Sequence, residues 1–189
     1  MAILPGSRTN EVSRILPDLV AAAGIIASAV PGVQFVVARA PNLADELFEP
    51  LRRANLARTV LVEGDTDTVL AAADVALTAS GTATVQAALH DTPMVVVYRV
   101  SPLTYAIGRR LLTVDTFAMV NLIAGSKIVP ELIQHDFTPE AVAREAISML
   151  TDASRTTRIR EGLRDVRSKL GSAGASHRAA KAILKVVSR

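Results

Sequence analysis

A doubly wound α/β domain, a Rossmann-like parallel sheet wrapped by helices on both faces, is the fold class this sequence predicts. Three observations carry that prediction. Short, β-branched and largely apolar runs at 34–38, 59–62, 75–79 and 94–98 read as strands buried on both faces. Helical stretches near 43–54, 66–73 and 81–90 lie between them, and a β-α-β-α rhythm of this kind winds a parallel sheet. Half of the 189 residues are apolar and only 3% aromatic, so Ala, Val, Leu and Ile must fill the core, as close helix-on-sheet packing requires.

Taken in order, Ala2-Ile3-Leu4 reads as the end of a strand. A domain rarely opens on so short a strand, and further sequence upstream is the expectation. Val12, Ile15, Leu16, Leu19, Val20, Ala23 and Ile26 recur at helical spacing and form one apolar stripe. Pro17 is expected to kink that helix or loosen one backbone bond, and Pro31-Gly32 to end it. The strand-helix alternation follows as far as Tyr98. Beyond Pro102 the rhythm changes: a short helix at about 103–112 is expected, then an irregular stretch containing Asn121-Leu122-Ile123-Ala124-Gly125. Thr138-Pro139-Glu140 marks a helix start, with Thr as the cap and Pro in the first position. Ile159, Leu163, Val166 and Leu170 stripe another helix. Ile183, Val186 and Val187 lie on a last one, after a short hinge at 171–174. The organisation expected is one domain over 1–150 and a basic helical carboxy-terminal extension over 151–189.

Composition excludes several classes of function. The chain has no cysteine, which rules out disulfides, thiolate metal sites and a cysteine nucleophile. There is no charged, apolar and cleavable leader pattern, and no uninterrupted apolar run approaches the ~18 residues of a spanning helix; a soluble or peripheral protein is the expectation. The net charge of +3 is uneven. From Asp152 onward ten Lys/Arg stand against three acids, giving that segment +7 and the remainder −4. Such a segment can be a solvated helix surface, or can face nucleic acid, anionic lipid or another subunit.

Ligands of doubly wound sheets bind beyond the carboxyl ends of the strands, which directs attention to two loops. The first is Pro5-Gly6-Ser7-Arg8, between a strand and a helix with Glu11 in its first turn. Gly6 lets the backbone approach a ligand closely. The helix start offers free N–H groups to an anion, and Arg8 can grip a diphosphate with two hydrogen bonds. The plain alternative is a tight turn with a surface arginine. The second loop, Ala79-Ser80-Gly81-Thr82-Ala83-Thr84, again places small residues and helix N–H groups after a strand. The Ser80, Thr82 and Thr84 hydroxyls can reach phosphate oxygens, and Gln86 can bond ribose hydroxyls; simple capping by Ser80 is the alternative. Two such loops on one sheet suit a nucleoside diphosphate.

Other chemistries lack their motifs. The sequence has no G-x-x-x-x-G-K-[ST], no G-x-G-x-x-G and no G-x-S-x-G. His90, His135 and His177 match no metal spacing. Asp65-Thr66-Asp67 can hold a divalent cation beneath a sugar diphosphate. It directly precedes a helical run, however, where Asp65 serves as cap and Asp67 complements the helix dipole. Metal-free binding with no cofactor is the expectation.

Three blocks carry a family resemblance. The first is Ile3-Leu4-Pro5-Gly6-Ser7-Arg8 with Glu11-Val12, Arg14 and Leu16-Pro17. The second runs from Ala79 to Thr84, then Ala87-Ala88-Leu89, Thr92-Pro93-Met94-Val95-Val96, Tyr98-Arg99 and Ser101-Pro102-Leu103-Thr104-Tyr105. The third is Asn121 to Gly125 with Val129-Pro130-Glu131-Leu132. In order, over nearly the whole chain, they resemble the carboxy-terminal half of the lipid-A-disaccharide synthase family.

The resemblance implies one half of a GT-B glycosyltransferase. The family transfers 2,3-diacylglucosamine from UDP-2,3-diacylglucosamine to 2,3-diacylglucosamine 1-phosphate, forming a β-1,6-linked disaccharide at the cytoplasmic face of the inner membrane. Charge developing on UDP must then be met by helix N–H groups and a cation, for which Arg8 is the expected catalytic residue, with substrate contacts from Gly6, Ser7, Arg8, Ser80, Gly81, Thr82, Ala83, Thr84 and Gln86; the resemblance implies that Asn121 and Glu131 line the same cleft. The acceptor-binding half and its base are expected in a separate amino-terminal part, so this chain alone is expected to bind UDP and turn over poorly. The basic end is then expected to meet a membrane surface, a second copy or the missing half, rather than nucleic acid. Two residues depart from the family pattern: Gln86 replaces a usual glutamate and Val120 a usual proline. A UDP-sugar epimerase, another GT-B transferase or a non-catalytic nucleotide-binding module are the alternatives.

Overall fold

The computed structural model describes residues 1–56, 58–100, 116–171 and 174–187. The helix expected at about 103–112 lies outside them. Six parallel strands form one sheet: β1 (Ala2–Leu4), β2 (Phe35–Arg39), β3 (Thr59–Glu63), β4 (Ala76–Ala79), β5 (Met94–Tyr98) and β6 (Glu131–Ile133). Their spatial order is β3-β2-β1-β4-β5-β6. The chain therefore works outward from β1 in one direction, crosses back to β4, and works outward again in the other. Leu4 of β1 lies opposite Thr78 of β4, so the ends of these two strands are level where the order reverses.

Burial follows position in the sheet. β1 and β4 are buried throughout, as is β5 up to Val97, because central strands of a doubly wound sheet are covered on both faces. β3 is an edge strand and its Val60 is 56% exposed, so it departs from the two-sided burial that its composition suggests. β6 at the other edge was not anticipated. Its three residues are too few for any periodicity to show.

The helices fall into two packed groups. In the first, α1 (Thr9–Ala29) packs on α2 (Glu49–Ala54) and α6 (Pro139–Thr151). In the second, α4 (Thr82–Leu89), α5 (Met119–Ala124) and α7 (Ala153–Leu170) pack on one another, and α3 (Thr66–Ala71) packs on α4. Helix α1 is long and apolar enough, by length and composition, to cross a bilayer. Its expected stripe, Val12 to Ile26, is instead buried in the core, and the helix continues past Pro17. Thr138 caps α6 as anticipated: its hydroxyl oxygen accepts the Ala141 N–H at 3.2 Å, with Pro139 beside it. Asp152 caps α7 in the same way, accepting the Arg155 N–H at 3.0 Å.

Three features differ from, or refine, the sequence reading. The stretch expected to be irregular around Asn121 is a helical turn and a half, α5, closed by Gly125 in the left-handed region at φ 79°. Helix α7 is docked rather than free. Ile159, Leu163 and Val166 join the core, so the basic segment after residue 151 begins as packed structure. Helix α8 (Ala175–Val187) contributes no buried residue, and its Ile183, Leu184, Val186 and Val187 are each at least 63% exposed.

Arg99, just past β5, ties the first helix group to the sheet. Its guanidinium pairs with Asp18 of α1, donates to the Phe137 carbonyl at 2.6 Å and lies 4.5 Å above the Phe137 ring. An ion pair, a carbonyl acceptor and an aromatic face together hold this partly buried guanidinium in place.

Leu163→Ala is expected to cost about 2–5 kcal/mol, since it opens a cavity under a side chain with no exposure. The readout is a lowered urea midpoint with an unchanged slope. A loss under about 1 kcal/mol would mean that α7 is not an integral part of the core.

Candidate functional site

The reversal of strand order at β1 and β4 leaves a crevice beyond their carboxyl ends. The loop leaving β1 turns at Gly6, whose φ of +119° is strained for any side-chain-bearing residue. A Cβ there would also lie 2.9 Å from both Cβ and Oε2 of Glu11. Arg8 is the extended N-cap of α1, and its carbonyl accepts the Glu11 and Val12 N–H groups at 3.0 Å. Its side chain is 78% exposed, and Nη1 donates to Glu11 Oε1 at 2.6 Å. The other Glu11 oxygen accepts the Ser7 backbone N–H at 3.3 Å.

The loop leaving β4 begins with the Ser80 N–H donating to the Val97 carbonyl at 2.9 Å, which continues the ladder one residue past the strand. Gly81, not Ser80, is the N-cap of α4, and no side chain caps that helix. Ser80 Oγ is directed instead at the Phe117 carbonyl, 3.5 Å away. A Cβ added at Gly81 would meet nothing within 4 Å, so this residue borders open space. No side chain caps the first N–H groups of α4, and its first two residues, Thr82 and Ala83, line the same crevice.

These two loops share one hollow of about 350 Å³, within the range of small-molecule sites. Gly6, Ser7, Arg8, Ser80, Gly81, Thr82, Ala83 and Gln86 all line it. Sequence reasoning missed Thr66 and Met119 as lining residues, and read Glu11 as a first-turn acid without giving it a site role. For Glu11 a signal existed: an acid three residues after Arg8 in the first helical turn is placed to reach back.

Three expected residues stand elsewhere. Thr84 is fully buried, and its hydroxyl donates to the Gly81 carbonyl at 2.8 Å, so it braces the loop from beneath. Asn121 and Glu131 are not among the lining residues. Asn121 is 1% exposed, and its amide saturates a local network. Its Nδ2 donates to the Val129 carbonyl at 2.9 Å and to Glu131 Oε1 at 2.6 Å, and its Oδ1 accepts the Ile128 and Val129 N–H groups at 2.9 and 3.1 Å. The second Glu131 oxygen accepts the Phe117 N–H at 2.8 Å. Together these two residues brace the segment that carries Met119 to the rim.

Both acids of Asp65-Thr66-Asp67 have a partner in the structure. Asp65 caps α3 by accepting the Thr68 N–H at 3.2 Å, and Asp67 pairs with His90 at 3.0 Å. No three His, Asp or Glu side chains converge as metal ligands would among the described residues.

Two solved glycosyltransferases share the fold. The calicheamicin glycosyltransferase CalG4 superposes with a TM-score of 0.57 at 19% identity, covering 100% of this chain and 42% of that one. The spinosyn rhamnosyltransferase SpnG gives 0.60 at 15% identity, covering 89% and 42%. The class that fold and crevice define is thus a doubly wound α/β domain that matches part of each of these larger chains, with its hollow at the strand-order switch. At the level of family the sequence is decisive. The family model for lipid-A-disaccharide synthetase matches residues 1–186, and the chain belongs to that family. Its relatives include lipid-A-disaccharide synthases of Myxococcus xanthus, 41% identical over 99% of this chain, and of Anaeromyxobacter dehalogenans strain 2CP-C, 44% identical over 99%. The chain spans about half the length of the curated relatives it matches, 49% in both cases.

Asn121→Ala strips two backbone N–H groups of their acceptor. The expected cost is roughly 1–3 kcal/mol for each buried group left unsatisfied, measured as the shift in urea-unfolding free energy. Unchanged stability would show that water replaces the amide at no cost.

Proposed function

We propose that the hollow holds the uridine diphosphate of UDP-2,3-diacylglucosamine, and that this chain is the donor-binding half of a lipid-A-disaccharide synthase. The single observation carrying the reading is that both glycine-bearing loops, from β1 and from β4, line one hollow at the strand-order switch. Membership in the lipid-A-disaccharide synthetase family supports this choice of donor, and the proposal takes 2,3-diacylglucosamine 1-phosphate as the acceptor. Membership also weighs against an epimerase, which keeps a related fold but needs no acceptor.

In this reading the first N–H groups of α1 and α4 face the two phosphates, and Arg8 supplies the lining cation among the described residues. Negative charge grows on the departing UDP as the glycosidic bond breaks. Fixed N–H dipoles and a guanidinium are matched to that growth because they need no reorganisation. Gln86 reaches the ribose hydroxyls with a neutral amide, a weaker grip than the carboxylate usual in the family. Thr84, Asn121 and Glu131 act from behind the site, holding its walls. The hydroxyl of the acceptor must lose its proton to a base, which the proposal assigns to the half of the enzyme outside this chain. The nucleotide-sugar unit over 1–150 and the basic segment over 151–189 divide the work, the latter toward an anionic membrane surface where both lipid substrates reside. The proposal has the enzyme work as a peripheral protein at the cytoplasmic face of the inner membrane, with this chain paired to a second copy or to the amino-terminal half.

Calorimetric titration of the chain with UDP tests the reading. Binding is expected without added divalent metal. Arg8→Ala is expected to weaken it about 10- to 100-fold, the range of hydrogen bonds to charged groups. Absence of UDP binding at millimolar concentration, with the fold intact by circular dichroism, would end the proposal.

A further inference from the structure

A pocket for a diphosphate is expected to be electropositive, yet this hollow is balanced. The charged side chains lining it, among the described residues, are Arg8 and Glu11, one of each sign. Glu11 is also not a solvated surface acid. Its side chain is 18% exposed against 78% for Arg8, and it lies folded back across the β1 loop. One carboxylate oxygen takes the Arg8 guanidinium at 2.6 Å and the other takes the Ser7 N–H at 3.3 Å. Those are the donors that the first loop offers to an anion. The turn is shaped around the carboxylate as well, since only a glycine at position 6 leaves room for Glu11 Cβ and Oε2.

A carboxylate and an edge of a phosphate present a guanidinium with the same pair of acceptor oxygens. Two anions cannot occupy the same donors: a unit charge at about 4 Å opposes another by about fivefold in affinity even in water. We propose that Glu11 is an internal ligand of the anion site. It occupies the Ser7 N–H and Arg8 in the empty hollow, is displaced by the pyrophosphate of the incoming nucleotide sugar, and re-enters as the nucleoside diphosphate product departs. The inference rests on the reading of the hollow as a UDP site. Glu11 then sets how tightly the diphosphate is held: it keeps Arg8 ordered at the rim between ligands and prevents the product from lodging there.

The test is titration of the wild-type chain, Glu11→Gln and Arg8→Ala with UDP, each checked for an intact fold by its melting curve. Gln keeps an oxygen for the Ser7 N–H and removes the charge. Glu11→Gln is expected to bind UDP about three- to fivefold tighter than wild type, whereas Arg8→Ala binds more weakly. Equal or weaker binding by Glu11→Gln, with wild-type binding intact, overturns the inference and makes Glu11 a holder of Arg8 instead. A wild type that does not bind UDP defeats the site reading itself, which separates the two failures. A second measurement needs no variant. The side-chain carboxyl ¹³C resonance of Glu11 in the wild type is expected to shift as UDP saturates the site and the Ser7 N–H is released. A Glu11 resonance unmoved at saturation also overturns the inference.

Discussion

The reversal of strand order between β1 and β4 is the constraint from which the rest of the site follows. Parallel neighbours joined by right-handed crossovers send their helices to one face on one side of β1 and to the other face on the far side. Where the direction changes, the two helices that leave the sheet diverge, and no connection fills the space between them. α1 and α4 both begin there, and the loops that lead into them line the gap. The register that sets Leu4 opposite Thr78 keeps the two loops level, so they bound one hollow rather than two.

Polar groups behind this hollow are satisfied by partners within the chain. Asn121 joins α5 to the segment before β6, Glu131 carries that order on to Phe117, and Thr84 ties the first turn of α4 to Gly81. A buried network of this sort has one satisfied arrangement and many unsatisfied ones, so it holds backbone positions that apolar packing alone would leave loose. Arg99 does the same on the opposite helix layer through Asp18 and Phe137. At the mouth, by contrast, Gly81 borders empty space and Arg8 is largely solvated. Rigid walls and a free rim are what a site needs when charge must be met at once and the product then released.

Much of the fold was legible in the chain because its signals are local. The runs at 34–38, 59–62, 75–79 and 94–98 became β2 to β5, and Thr138-Pro139 started α6 where a capping threonine and a first-turn proline must. β6 and α5 were not legible. β6 is three residues held at a sheet edge by pairing with Val96 to Tyr98, and α5 is six residues closed by Gly125; neither is long enough to show a period. Ser80 was misread as a possible cap, since the sequence pattern cannot tell which residue of Ser-Gly-Thr turns into the helix.

From sequence alone came the parallel α/β class, the two glycine loops, Arg8, and the family to which those blocks belong. These depend on residue type and near-neighbour spacing, which the chain states outright. Tertiary structure decided that Asn121 and Glu131 stand behind the hollow rather than in it, that α7 belongs to the core, and that Glu11 rests on the donors of the first loop. The physical reason is the same in each case. Which way a side chain faces depends on partners far along the chain, such as Phe117 for Glu131, or on the path of a turn, as at Gly6 for Glu11, and neither is written in the spacing of residues.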